Sequence, residues 1–219
     1  MSEQAKLNSS RCVVHVVDDN EQIREFAATV LRSVGLECLA WEGPEGLLDA
    51  NPPHRIDALV IDIRLQGMSG LELVRRLRER GVSAPVIFIS GVNEVPVAVE
   101  AMKLGAHDFL TKPFGGQTLI DTVQGALRRH EGDQERSTRT AEVRDLLAKL
   151  SPRERQVFLS VIDGKANKVI AFDLGLSEKT VEEHRAHVMA KLGASSVADL
   201  VKMAVVSGVC DPAKVSVRS

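Results

Sequence analysis

With 219 residues, 44% hydrophobic and 26% charged, the chain has the length for two domains and the composition of an ordinary globular protein with a real core. A net charge of −2 does not advertise a nucleic-acid partner for the chain as a whole, and 3% aromatic residues with no Tyr argue against a single-strand binder that stacks bases. The charge is uneven: residues 1–146 carry 17 Lys and Arg against 22 Asp and Glu, whereas residues 147–219 carry 11 against 8, so the two parts are expected to meet different partners.

No run of eighteen apolar residues occurs and residues 1–10 lack the basic-then-apolar run of a secretory signal, so a cytoplasmic protein with no membrane partner is expected. Cys12, Cys38 and Cys210 are odd in number and far apart, which suits neither a disulfide framework nor a zinc site.

In chain order, strands are predicted over 12–17, 36–41, 58–61, 85–89 and 108–110, alternating with helices over 21–33, 44–50, 70–80, 95–104 and 116–130. Three of the strands are nearly continuous apolar runs, as strands covered on both faces are. Gly35, Gly81 and Gly105 follow three of the helices, where a C-terminal glycine ends a helix. This α/β alternation calls for a doubly wound, five-stranded parallel sheet, whose ligands bind beyond the carboxyl ends of the strands. From 131 to 142 the chain turns polar with no apolar face, and a linker or an extension of the preceding helix fits equally well. An all-helical pattern follows over 150–207, then a short tail.

The strand ends carry the chemistry. Asp18 and Asp19 follow the first strand, Asp62 ends the third, Ser90 follows the fourth, and Lys112 with Pro113 follows the fifth. Each alone reads as a cap or a loop residue. Together, in a parallel sheet, they gather at one rim. Three carboxylates in one pocket need a cation, and an all-oxygen site suits Mg²⁺. A metal and an ammonium flanking one Asp can neutralise an incoming phosphoryl group, leaving that carboxylate to act as nucleophile and Ser90 to donate a hydrogen bond.

The motifs Val17-Asp18-Asp19, Ile61-Asp62 with Gly67-Met68-Ser69-Gly70, Ile89-Ser90-Gly91, and the fourteen residues from Ala101 to Phe114 make 11–130 resemble the flavodoxin-like receiver domain of two-component signalling, in its FixJ-like branch. The resemblance implies phosphorylation of Asp62 by a sensor histidine kinase. It also implies Mg²⁺ bound by Asp19, Asp62 and the backbone carbonyl of Arg64, with Asp18 acting through water. Lys112 would contact the phosphoryl group, the Lys112–Pro113 bond would be cis, and Ser90 and Phe109 would form the switch pair. The family has Pro where this chain has Gln66; without the fixed φ of proline, the loop carrying the Arg64 carbonyl is expected to be looser.

In the back part, Ser151-Pro152-Arg153-Glu154 has the marks of a helix start. Ala171, Gly175 and Val181 then show the spacing of two helices crossing over a tight turn: a small contact residue, a flexible turn residue and an apolar anchor. With 150–157 before it and 180–192 after it, the segment 149–209 resembles the helix-turn-helix output domain of the NarL/FixJ (LuxR-type) family; 131–148 is then the join and 210–219 the tail. On a helical wheel Val181, Val188 and Leu192 face inward, flanked by His184, read as a packing residue, and Arg185. Lys179, Glu182, Glu183, Ala186, His187 and Ala190 face outward. By resemblance, Glu182, Glu183 and Ala186 take base-facing positions in double-stranded DNA, with His187 beside them, while Asn167, Lys168, Lys179 and Thr180 suit phosphate contacts. The two glutamates either accept from cytosine N4 or are merely solvated.

The expected function is a phosphorylation-dependent transcriptional regulator without enzymatic turnover, a homodimer through the face 95–108 once phosphorylated. Ile23, Ala27 and Val30 on the first helix are candidates for kinase docking or for the core. One alternative is a constitutive DNA-binding factor with a vestigial receiver. A phosphatase forming an aspartyl-phosphate would want an acid two residues past Asp62, where Arg64 stands, and a sigma-factor-like module leaves the carboxylate cluster unexplained.

Overall fold

Five short apolar runs pair as one all-parallel sheet in the computed structural model, which describes residues 12–50, 55–91 and 95–210. Residue 11, the tail from 211 onward and the side chains of residues 95–97 lie outside the described residues. The chain divides into two units, 1–132 and 133–219.

The first unit contains β1 (Val13–Val17), α1 (Glu21–Ser33), β2 (Glu37–Trp41), α2 (Pro44–Leu48), β3 (Ala58–Asp62), α3 (Gly70–Glu79), β4 (Val86–Ser90), α4 (Val95–Lys103) and β5 (Asp108–Thr111). The strand order is β2-β1-β3-β4-β5, parallel throughout. Side chains alternate across a strand, and the core divides accordingly. Val14, Val16, Val60, Ile87 and Ile89 face one way and pack with Ala27, Leu31, Leu119 and Val123. Val17, Leu59, Ile61 and Phe88 face the other way and pack with Leu71, Leu73, Leu77 and Ala101. Local chemistry sets the helix starts: Asn20 caps α1 by accepting from the Gln22 N–H, and Ser69 caps α3 by accepting from the Glu72 N–H.

The polar join is helical. Helix α5 runs over Gly116–Ala148, 33 residues, past the predicted end at 130. After Gly132 no further Gly and no Pro interrupts it, so nothing in 133–148 opposes helix. Its two ends serve different cores. Leu119, Val123, Ala126 and Leu127 pack under the sheet, whereas Val143 and Leu147 pack in the helical unit with Leu150.

The second unit adds α6 (Pro152–Ile162), α7 (Asn167–Leu174), α8 (Glu178–Leu192) and α9 (Val197–Ser207). Helix α6 opens on a capping box between Ser151 and Glu154, and α9 on one between Ser196 and Asp199. Gly175, at φ 65°, ends α7 in the left-handed conformation that turns the chain into α8. Phe158, Ile170, Val181, Val188, Leu192 and Leu200 fill the core. The three cysteines are free thiols, and burial pushes Cys38 up to about 11, so it packs as a hydrophobe.

Candidate functional site

The order 2-1-3-4-5 reverses direction at β1 and β3, and Asp18 and Asp62 lie there, at the carboxyl ends of those strands. Asp18 is fully buried, Asp62 nearly so, and Asp19 is exposed. Carboxylate oxygens from the three lie within 4.8 Å of one another. Lys112, following β5, reaches between them: its ammonium pairs with Asp18 Oδ2 at 2.8 Å and donates to Asp62 Oδ2. Asp62 Oδ1 accepts from the Arg64 N–H at 2.9 Å.

Asp18 is held from several sides. Its Oδ1 accepts from the Asn20 N–H at 2.9 Å, and its backbone carbonyl accepts from Arg24 at 2.8 Å. Its Oδ2 is buried and has the Lys112 ammonium as its only close cationic partner among the described residues. Burial pushes the Asp18 carboxyl above its ordinary range, against the pull of Lys112 and the Asn20 N–H. Burial also works to lower Lys112, but its bonds to Asp18 and Asp62 outweigh that and hold it above the usual lysine range. Both partners thus shift upward, with Asp18 desolvation the larger influence on its own side. A hard, all-oxygen set of three carboxylates sharing a single ammonium is the donor chemistry that Mg²⁺ takes, and Asp18, Asp19 and Asp62 fit it.

The neighbours predicted from sequence fall around this rim. Ser90 is buried at the end of β4; its Oγ contacts the Gly91 carbonyl at 3.4 Å and its carbonyl accepts from the Lys112 N–H. Phe109, half-buried on β5, packs against the core that holds Phe88 and Ala101. The Lys112–Pro113 bond is cis. Arg64 is exposed in a loop held by more than residue 66: Met68 N–H donates to the Gln66 carbonyl and Gly70 N–H to the Ile63 carbonyl. Of the docking candidates, Ala27 is wholly buried and belongs to the core, while Ile23 and Val30 are half-buried. Sequence reasoning passed over Phe26 on the same helix, exposed and 6.0 Å from Phe114. On the face 95–108, Val99 and Met102 are exposed, and Ala101 and Ala106 are core.

In the second unit, Val181, Val188 and Leu192 are buried as the wheel requires, and His184 and Arg185 are half-buried beside them. Lys168, Lys179, Glu182, Glu183, Ala186 and His187 are exposed. Asn167 is half-buried, its Oδ1 accepting from Arg185 at 2.5 Å, and the Thr180 hydroxyl shares a hydrogen bond with Ser177. Two small units result: one gathers acids, an amine and an alcohol at a sheet rim, and the other presents a helix beyond a tight turn.

The model of the response regulator receiver domain matches residues 14–124, and that of the luxR family of bacterial regulatory proteins matches residues 148–204. The transcriptional regulatory protein FixJ of Azorhizobium caulinodans is 45% identical, over 90% of this chain and 93% of its own length. The chain belongs to the FixJ-like response regulators. Nodulation protein W of Bradyrhizobium diazoefficiens is 40% identical over 92% of this response regulator and 88% of that protein. Among solved structures, full-length FixJ from B. japonicum matches with TM-score 0.60 and 35% identity over 93% of this chain and 100% of that one. The response regulator StyR matches with TM-score 0.73 and 38% identity over 89% and 98%. This response regulator therefore joins a receiver to a LuxR-type DNA-binding domain and is a FixJ-like transcription regulator. Among its described residues, no helix is long and apolar enough to cross a membrane.

Proposed function

We propose that this response regulator is switched by phosphorylation of Asp62 and that the switched form binds DNA as a homodimer. The observation that carries the reading is the Asp62 carboxylate at the end of β3, bonded to Lys112 and to the Arg64 N–H, within one cation's reach of Asp18 and Asp19.

In the phosphodonor, a sensor histidine kinase, phosphorus is bonded to an imidazole nitrogen. An Asp62 oxygen attacks phosphorus; the O–P bond forms as the N–P bond breaks, and the departing nitrogen keeps the electron pair. Asp19, Asp62 and the Arg64 carbonyl, with Asp18 through water, would hold Mg²⁺, which would supply charge that offsets the phosphoryl oxygens. Lys112, already against Asp62, passes to a phosphoryl oxygen and stays cationic. Ser90 donates its hydroxyl to another, and Phe109 turns into the space that this leaves. The rearranged face 95–108, with Val99 and Met102 exposed, then pairs receivers. A dimer sets two α8 helices on half-sites about 34 Å apart. Glu182, Glu183, Ala186 and His187 face the bases, and Lys168, Lys179, Asn167 and Thr180 face phosphates.

The test uses acetyl phosphate with Mg²⁺ and mass spectrometry. One acid-labile phosphoryl adduct is expected, absent in D62N. Beryllofluoride with Mg²⁺ is expected to raise the sedimenting mass to a dimer and tighten DNA binding. An adduct that persists in D62N sinks the assignment of Asp62, and an unchanged mass with unchanged DNA affinity sinks the switch.

A further inference from the structure

The recognition helix α8 is unusual for a surface meant to meet a polyanion, because it carries a carboxylate, Glu183, on the side opposite its buried ridge. Val181, Val188 and Leu192 define the buried ridge of the helix. At 3.6 residues per turn, Glu183 lies about 160° around the helix from that ridge and Glu182 only about 100°. Ala186 and Ala190 lie beside Glu183 on the outward side, with Lys179 one turn earlier, so past Glu183 the helix backbone can approach a groove floor closely. Glu183 is exposed and, among the described residues, engages no hydrogen bond or ion pair; Lys179 one turn earlier does not reach it. Its side chain is free to take a donor from outside the protein.

A carboxylate only accepts hydrogen bonds. In the major groove the donors are the cytosine N4 amino group and the adenine N6 amino group, and every other polar position there is an acceptor. Adenine sets its N7 acceptor beside N6, so a second carboxylate oxygen is repelled; cytosine sets only its C5–H on that side. Toward a phosphate, or toward the acceptors of guanine and thymine, Glu183 is repulsive. Such a residue contributes little to affinity for arbitrary DNA and much to discrimination between sequences. Resting on the DNA-reading proposal above, we infer that Glu183 is a specificity-determining residue that reads a cytosine through its N4 amino group in each half-site.

The test is selection from a randomised duplex pool by the full-length protein with Mg²⁺ and beryllofluoride, comparing wild type, E183A and E183Q. Wild type is expected to enrich cytosine at one position of each half-site. E183A is expected to lose that preference there and keep the others, and E183Q to shift it toward adenine, which an amide contacts through both N6 and N7. In a selected duplex, exchanging that C·G pair for T·A is expected to weaken wild-type binding about 5- to 150-fold and E183A binding hardly at all. An E183A profile identical to wild type at every position overturns the inference, even if its affinity rises uniformly. A wild type that enriches no sequence overturns the DNA-reading proposal itself, an outcome the variant profiles keep distinct.

Discussion

Gly70 lies against the backbone of Asp62: a Cβ on residue 70 would sit 2.2 Å from the Asp62 carbonyl oxygen and 2.8 Å from Ile61 Cγ2. The first turn of α3 thus seats directly on the end of β3 that presents the carboxylate. G70A must push Asp62 away or open the loop, at a cost of about 1–3 kcal/mol in receiver stability. Moving the nucleophile is also expected to slow acetyl-phosphate labelling of Asp62 by about 10-fold or more. Urea unfolding and labelling kinetics check this; a variant that is wild type in both removes Gly70 from the site.

Metal binding is expected to be visible without any phosphodonor. Mg²⁺ bound only by the folded receiver stabilises it by about 2.7 kcal/mol at a concentration one hundred times its Kd. Thermal melts of the full chain should show a receiver transition that rises with Mg²⁺ and falls back with EDTA, while the transition of the helical unit stays put. D62N, which removes one anionic ligand, should blunt the rise. Equal shifts in D62N and wild type would place the cation elsewhere.

Acid is expected to loosen the helical unit through Glu154. Its bond with the Lys191 ammonium at 2.7 Å, then the Ser151 N–H, hold its carboxyl down at about 2. An unfolded glutamate titrates at about 4.3. Because the folded value is the lower one, the stabilisation is complete above pH 4.3 and is lost as pH falls toward 2. Asp199, also held at about 2 by Ser195 and Ser196, loses its share as pH falls from about 3.9, where an unfolded aspartate titrates, toward 2. E154Q is expected to cost about 1–2 kcal/mol at pH 7 through the capping box and ion pair and to shrink the loss between pH 4.3 and 2. Melts from pH 7 to pH 2 decide; a variant with the same pH profile as wild type would show that Glu154 is not responsible.

His15 is buried in β1 between two hydrogen bonds. Trp41 Nε1 is 3.0 Å from its Nδ1, and its Nε2 is 3.0 Å from the Arg55 carbonyl. An indole nitrogen only donates, so Nδ1 accepts and Nε2 carries the proton. Replacing His15 with Leu leaves a donor and an acceptor unmatched and is expected to cost about 1–3 kcal/mol. Trp41 is the sole tryptophan, so urea unfolding followed by its fluorescence reads this directly. A loss below half a kilocalorie, about what a neutral surface change costs, would mean that water replaces the imidazole.

Much of the receiver was legible because its functional groups sit at strand ends, where a hydrophobic run stops and a polar residue follows. Asp18, Asp62, Ser90 and Lys112 could be placed on one rim from that pattern and from the parallel-sheet rule. Gly70 was legible only as part of a motif, since its closeness to the Asp62 carbonyl depends on how α3 meets β3. Val143, Leu146, Leu147 and Leu150 have the i, i+3, i+4, i+7 spacing of a helix face, but that they pack with Phe158 and Val161 depends on how α5 meets α6. Ala27 could equally have faced a partner or the sheet until the packing of α1 was known.

Periodicity, capping residues and the chemistry at the strand ends were properties of the amino-acid string itself, because each depends on neighbours within a turn of helix or a few residues of strand. Which lone pairs on Asp18 find a donor, that Arg185 holds Asn167, and that Lys112 bridges two acids depend on residues 18 to 94 positions apart. Contacts of that kind exist only after elements far apart in the chain have packed, so they were decided by the tertiary structure alone.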